Sequence, residues 1–424
     1  MYAEKKIPND QDYFYRVIER ARTSTNSVIY GGSNTIIARE ALDKVGGFYT
    51  ESITEDFATG MNIESAGFVS LGLSEPLASG LAASDFREHI QQRTRWGRGV
   101  IVTGRKLKIL RNHKLTMAQR FSYIGSVSYW YSPVKNAIFV LSPLMFAVLG
   151  IPVINCRTVD LLSFWLPMFI FSSLSLKSIS SNLMSNKWSG IQEVSVMPFL
   201  FVPILKETLG FSLTQFKVTD KSGKKRTSKF GVKDRMPYYV LLAMSLVGII
   251  RVIYVMAAEY FAIGLFVVLF WIIRNGYYLI MGMFMMDGRD SSDEGCIVAD
   301  SADAVLKRNS EVIIEGITTQ LSERGIKMIL DDPECVERGD VVDVVVNTEK
   351  YEAGFKGVIV MKMFPKSRAD ICVATVEALD FGESWEEYLQ IIYDRIPTLP
   401  QNLDKDAGFL TDLLRNLGAR LAKL

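Results

Sequence analysis

Hydrophobic and polar positions fall into three regimes along the chain. Over residues 1–113 they mix in short blocks, the pattern of a globular segment built from helices and strands. Between about Pro133 and Met286 the apolar runs lengthen. Four of them, near 133–154, 159–178, 236–257 and 260–284, approach or exceed the roughly 20 residues a helix needs to cross a bilayer core. After a polar linker at 289–294 the pattern shortens again: Val312/Ile314, Ile326/Met328/Leu330 and Val342/Val344/Val346 alternate with polar positions or lie in short apolar runs bounded by Gly and Asp. This predicts a small antiparallel β-barrel domain over 295–398. The chain closes with an amphipathic helix over 404–424, where Phe409, Leu410, Leu413, Leu414, Leu417 and Leu421 share one face opposite Arg415 and Lys423, a pattern that suits docking.

Around the four spans, 116–131 and 191–214 mix apolar, aromatic and polar residues and read as interfacial helices, the second also as a re-entrant segment. An even number of spans leaves both termini on one side. The connection between the second and third spans carries Lys217, Lys221, Lys224, Lys225, Arg226, Lys229, Lys233 and Arg235, whereas the connections near 157–160 and 259 are short and nearly free of cations. By the positive-inside rule both termini are cytoplasmic, in a multi-pass protein of the cytoplasmic (inner) membrane. Arg251 lies inside the third span and either snorkels from a helix end or faces an internal polar channel.

Composition narrows the chemistry. Hydrophobic residues make up 49% of the chain, high for a soluble protein. A formal net charge of +2 argues against a nucleic-acid polymer as partner. Cys156, Cys296, Cys335 and Cys372 are scattered, and His89 and His113 are distant, so neither a disulfide framework nor a metal cluster is suggested. Residues 1–12 are charged and polar, unlike a signal peptide.

Two features of the first 113 residues can carry chemistry. Thr54-Glu55-Asp56 precedes an amphipathic stretch over 57–66 that ends at Gly67 and gives way to a short apolar strand. In structural terms Thr54 is an N-cap with two acids on the first turn; in functional terms Asp56 is a carboxylate able to accept a proton from a hydroxyl. Downstream, a helix capped by Ser84 and running to about Arg98 places Gln92, Arg95 and Trp96 at i, i+3 and i+4, on one face. It is either a charged surface helix with one anchoring Trp or a sugar–diphosphate site, in which Arg forks onto phosphate and Trp stacks on a pyranose ring.

The order Thr-Glu-Asp then Gln-Arg-Thr-Arg-Trp, just ahead of an interfacial helix and membrane spans, resembles the TED and QxxRW motifs of inverting, processive family-2 glycosyltransferases of the bacterial cellulose-synthase type. Upstream, Ile29-Tyr30-Gly31-Gly32-Ser33 resembles the family's FFCGS acceptor motif, with Gly31 in place of Cys. Phe216-Lys217-Val218-Thr219-Asp220-Lys221 resembles the FxVTxK gating loop, here within 215–230, which in the family covers the nucleotide-loaded site. The resemblance implies a partial α/β, GT-A-like catalytic segment (1–113), a membrane region (114–288) and a β-barrel. It implies Asp56 as base, Gln92, Arg95, Thr219 and Lys221 on the donor diphosphate, and Trp96, Gly31, Gly32, Ser33 and Glu55 on the acceptor. It further implies Mg²⁺, held by an early Asp and a DxD. Before residue 29 the acidic run Asn9-Asp10-Gln11-Asp12 is in the wrong place for these motifs, so the metal ligands, and with them a donor-binding amino-terminal half, are expected outside this chain, which would be inactive alone.

The barrel resembles PilZ domains, the cyclic-di-GMP receptors of bacterial cellulose synthases. Ser322 and Gly325 match the D/N-x-S-x-x-G turn, with Gln320 in the acid or Asn position; Arg289 matches the first Arg of RxxxR, with Asp293 in place of the second. Cyclic-di-GMP is thereby implied as an allosteric activator, and the lost cation predicts weakened phosphate recognition. The expected activity is processive transfer of glucose from UDP-glucose to a growing β-1,4-glucan, coupled to export and assisted by a secretion-complex partner. The alternative is a non-catalytic membrane module that senses the dinucleotide or scaffolds such a complex.

Overall fold

The structure is a computed structural model. It describes residues 10–74, 83, 86–153, 156–180, 184–211, 230–258, 262–286, 297–298, 301–309, 311–364 and 371–395, together with 410–411, 413–414 and 417–418. The chain forms two compact units, one of residues 1–75, 81–289 and 401–424, the other of 76–80 and 290–400.

All the regular secondary structure among the first unit's described residues is helical. It opens with α1 (Asp10–Tyr13), a π-helix (Phe14–Glu19) and α2 (Arg20–Thr23), followed by α3 (Arg39–Val45), α4 (Glu55–Ser65) and α5 (Phe86–Lys106). Gly67, at φ +95°, supplies the left-handed turn just beyond the end of α4. The strand expected after it is extended but paired with no other strand. Instead Asn26 and Thr23 bond it through their side chains: Asn26 donates to the Phe68 carbonyl at 2.9 Å and accepts from Ser70 N–H at 2.8 Å, and Thr23 Oγ1 accepts from Gly72 N–H at 2.9 Å. The α/β character expected of this segment is therefore not seen among its described residues. α5 also runs two turns beyond the expected end at Arg98.

α6 (Met117–Tyr129) begins with a capping box between Thr116 and Gln119. Then come α7 (Ser132–Leu149), α8 (Thr158–Ile179), α9 (Asn186–Thr208), α10 (Val232–Ala258) and α11 (Ile263–Met286). Among the described residues five helices are long and apolar enough to cross a membrane, the fifth being α9. The segment read as interfacial or re-entrant is thus one helix, continuous through Pro198 and Pro203. Its polar positions dilute its hydropathy in sequence, but Ile191, Leu200 and Ile204 are fully buried against residues such as Tyr278, Leu279 and Met281, and this packing holds the helix together. A second core joins Val140 and Leu144 of α7 to Val252 of α10 and Ile272 of α11. Arg251 donates from Nη1 to the carbonyls of Ala147 (3.3 Å) and Val148 (2.6 Å), satisfying the open end of α7. Leu413 of the terminal segment packs against the α9–α11 core.

The second unit is a barrel. Strands β1 (Ile297–Val298), β2 (Asp303–Arg308), β3 (Glu311–Ser322), β4 (Gly325–Leu330), β5 (Val341–Asn347), β6 (Glu352–Met363) and β7 (Cys372–Asp380) pair antiparallel in the order β1-β3-β2-β5-β6-β7-β4. A β3–β4 pairing closes six of them into a ring, and β1 extends the end of β3. The alternation seen in sequence points Leu306, Leu321, Met328, Leu330, Val344, Val346 and Ile359 inward, each fully buried. Tyr388, Ile391 and Ile392 of α12 (Trp385–Arg395) complete this core.

Candidate active site

The candidate site grows from the crossing of α4 and α5. Gly99 allows the approach: a Cβ there would lie 2.4 Å from Thr54 Cγ2. Thr103 Oγ1 lies 2.6 Å from Ser52 Oγ and 3.3 Å from Thr54 Oγ1. Thr54, expected to cap α4, makes no side-chain cap bond; its hydroxyl turns to α5 and fastens the crossing instead.

Above the start of α4 runs the 29–33 segment. Gly60 brings α4 close to it, since a Cβ there would stand 3.2 Å from the Tyr30 amide nitrogen. Gly32 adopts φ +79°, and a Cβ on it would meet Asp56 Oδ2 at 2.7 Å, so both the turn and the space require glycine. Gly31 has a similar reason. A Cβ there would lie 2.8 Å from the hydroxyl of Tyr15, which reaches in from the π-helix. The Cys of the resembling motif is absent at a position where a tyrosine hydroxyl fills the space. Ser33 is exposed, with its carbonyl taken by Thr35 Oγ1 at 2.9 Å.

Asp56 is half-buried, and Glu55 beside it is exposed. Burial is the main cause that raises the Asp56 pKa, and the Glu55 charge adds to it. The Phe57 N–H, which donates to Oδ1 at 2.7 Å, opposes the rise, and so does the Arg95 guanidinium. The helix terminus thus does favour the carboxylate, but burial outweighs it. The result is a stronger base than a free aspartate, in a place where a ligand hydroxyl could approach. Arg95 is electrostatically coupled to Asp56, and Gln92 and Trp96 lie half-buried on the same face of α5.

The arginines interleaved with these residues serve other contacts. Arg93 bonds the Tyr129 hydroxyl and lies over the Trp130 ring at 5.6 Å. Arg98 pairs with the buried Glu207 of α9 at 2.8 Å and donates to the Phe211 carbonyl at 2.6 Å. The structure therefore groups Gly31, Gly32, Asp56 and Arg95. It adds Tyr15, for which the sequence offered no periodicity or motif. Phe216, Val218, Thr219, Lys221, the Ser84 cap and Arg289 lie outside the described residues. Among the described residues no group of three His, Cys, Asp or Glu side chains could hold a metal ion, so these residues do not fit a Mg²⁺ site.

Residues 9–176 match the family Glycosyl transferase family group 2. Over 399 residues, 93% of this chain, the sequence is 25% identical to the cellulose synthase catalytic subunit (UDP-forming) of Pseudomonas fluorescens. The chain carries a family-2 glycosyltransferase domain and is homologous to bacterial cellulose synthase catalytic subunits. Further relatives are the catalytic subunit of Komagataeibacter sucrofermentans, 27% identical over 58% of this chain, and cellulose synthase 2 of Novacetimonas hansenii, 28% identical over 60%. The chain spans 53% of the Pseudomonas relative, 32% of the Komagataeibacter one and 16% of the Novacetimonas one. The glycosyltransferase match takes in the whole α4–α5 crossing, from Tyr15 to Trp96.

In the barrel, Ser322 Oγ donates to the Gly325 carbonyl at 2.9 Å and accepts from Arg324 N–H at 3.4 Å. Gly325 has φ +140°, and a Cβ on it would collide with the Val376 carbonyl at 2.1 Å. Tyr388 of α12 donates to the carbonyls of Ser322 and Gly325, each at 3.0 Å, which pins the turn from below. The turn borders a cleft of about 240 Å³ lined by Gln320, Arg324, Lys327, Thr375 and Glu377, below the usual size of a small-molecule pocket.

Proposed function

We propose that this chain provides the acceptor side and the export path of an inverting, processive synthase that transfers glucose from UDP-glucose to a β-1,4-glucan. The observation that carries the reading is the half-buried Asp56 under Gly32, with Arg95 of the clamped α5 helix acting on it. Asp56 accepts the proton of the acceptor hydroxyl as that oxygen attacks the anomeric carbon of the donor. The bond from that carbon to the diphosphate breaks, UDP leaves with the electron pair, and the configuration inverts. Arg95 and Gln92 stabilise the negative charge that develops on the diphosphate. Trp96 stacks on the acceptor sugar, and Tyr15 beside Gly31 orients it. Mg²⁺ and the donor-binding half come from residues other than those described here. The gating segment at 216–221 covers the loaded site.

The membrane placement is supported by α8, which shows large apolar side chains on its surface, among them Phe164 (77% exposed), Met168 (64%) and Phe171 (66%). An export path among these helices is supported by the aromatic and polar side chains they bring together. Phe139 and Trp271 stack at 5.5 Å, Arg274 lies over Trp271 and Tyr278, and Glu193 accepts from Lys135 and Asn136. Rings and fixed polar groups together suit a pyranose chain. The barrel is a PilZ-like regulatory module that responds weakly to cyclic-di-GMP, because Gln320 and Asp293 replace recognition groups.

The test is product formation. Membranes holding this chain and a donor-binding half, supplied with UDP-[¹⁴C]glucose, Mg²⁺ and cyclic-di-GMP, should yield labelled polymer that cellulase degrades. Label in a cellulase-resistant polymer would move the reading to another linkage, and no polymer from an assembled pair would reject it.

A further inference from the structure

Beneath the 29–33 segment lies a buried polar cluster that the transfer step does not use. Glu19, at the end of the π-helix, and Glu64, in the last turn of α4, are each 3% exposed; Arg22 of α2 is 9% exposed and Tyr123 of α6 fully buried. Glu19 Oε2 accepts the Ile29 N–H at 2.6 Å, where the 29–33 segment starts. Tyr123 donates its hydroxyl to Glu64 Oε2 at 2.6 Å. Arg22 donates to the Ser27 carbonyl at 2.5 Å, the Ser122 carbonyl at 3.1 Å and Ser126 Oγ at 2.9 Å, and lies over the Tyr123 ring at 5.2 Å. Three stretches of chain far apart in sequence, 19–29, the end of α4 and 122–126, are brought together around one set of charges.

Such a cluster is expensive to bury. Two carboxylates face one guanidinium, and Glu19 Oε1, Glu64 Oε1 and Arg22 Nη2 have no hydrogen-bond partner. An apolar core would be at least as stable, so the polar one has its use in fixing geometry. Burial pushes both acids up to about 7. Arg22 and the Ile29 N–H oppose this at Glu19; Tyr123, Ser70 and Arg22 oppose it at Glu64, where Glu19 adds to the rise. Tyr15, beside Gly31, also faces Glu19.

We propose that Glu19, Arg22, Glu64 and Tyr123 are positioning residues that lock the 29–33 segment and the Asp56 helix to α6, so that acceptor and base keep one register. The proposal rests on the reading of Asp56 as base. Its test uses the full chain in membranes with its donor-binding half. Tyr123→Phe keeps the ring, which packs edge-on against Phe57 at 5.5 Å, and removes only the hydroxyl. It should lower kcat about tenfold, the loss of one buried charge-assisted bond, with KM for UDP-glucose unchanged. Glu19→Gln keeps an acceptor for the Ile29 N–H and should retain most of kcat, whereas Glu19→Ala should not. In the impaired variants amide exchange should quicken over 27–33 and stay as in wild type over 117–129. Wild-type kcat and exchange in Tyr123→Phe would overturn the proposal, as would exchange that quickens equally in both segments, the mark of general destabilisation. If the wild-type pair makes no polymer, the synthase reading fails, and the exchange arm alone decides: local loosening at 27–33 supports the lock, and none overturns it.

Discussion

The barrel and the α4–α5 crossing are opposites in how fold and chemistry are shared out. In the barrel every described strand is paired and the ring closes on its own core, while its resemblance to the dinucleotide-binding motif breaks at Gln320 and Asp293. The crossing keeps an Asp, a Gln, an Arg and a Trp in the expected order, while beside it the extended 68–74 segment shows Val69, Leu71 and Leu73 at 71%, 69% and 66% exposure, with side chains rather than a neighbouring strand bonding its backbone. A closed hydrophobic core holds a fold whatever its surface turn carries. Conversely, a few close glycine contacts hold the 29–33 segment, α4 and α5 together with no paired strand among the described residues around them.

Among substitutions that leave Asp56 itself in place, the largest effect is expected at Arg95. Arg95→Ala removes the charge proposed to act on the diphosphate and should lower kcat about 10²–10³-fold in a UDP-glucose incorporation assay, with the chain still assembled. Gly32→Ala comes next. The added methyl meets Asp56 Oδ2 and sits at positive φ, and a strain of about 1–3 kcal/mol should reduce polymer synthesis roughly 10- to 100-fold. A comparable clash in the barrel, Gly325→Ala against the Val376 carbonyl, should lower barrel stability by about 2–4 kcal/mol, read by denaturant unfolding, while leaving Asp56 chemistry intact. Smallest is the regulatory arm: Gln320→Asn with Asp293→Arg should tighten cyclic-di-GMP binding about tenfold by calorimetry, since one phosphate-facing cation returns. No gain there would mean that the barrel has lost more than these two side chains.

Much of this architecture is legible in the sequence because its signals are periodic. The alternation at Val342, Val344 and Val346 fixes an inward barrel face, and the long apolar runs announce four of the five long apolar helices. α9, read from sequence as an interfacial helix because of polar positions such as Gln192 and Glu193, is a helix that starts five residues earlier and also meets the length and composition of a span, its apolar positions packing on protein neighbours. Thr54 was read as a cap from local rules, and a partner 49 positions away, Thr103, redirected it. Tyr15, Glu19 and Arg22 were invisible for the same reason. They belong to no motif, and Arg22 meets Ser122 across 100 residues of chain.

Whether Asp56 is the base is read from the pH dependence of kcat in wild type and Asp56→Asn. Because burial raises the Asp56 pKa, activity should be full above that raised value and lost as pH falls through it, so the acid limb should lie above the ordinary aspartate range near 4. Asp56→Asn should cost about 10²–10⁴ in kcat with UDP-glucose affinity retained, and the residual rate should lack that limb. An Asn variant that synthesises polymer at the wild-type rate, or that keeps the same acid limb, would contradict the assignment of Asp56 as the base.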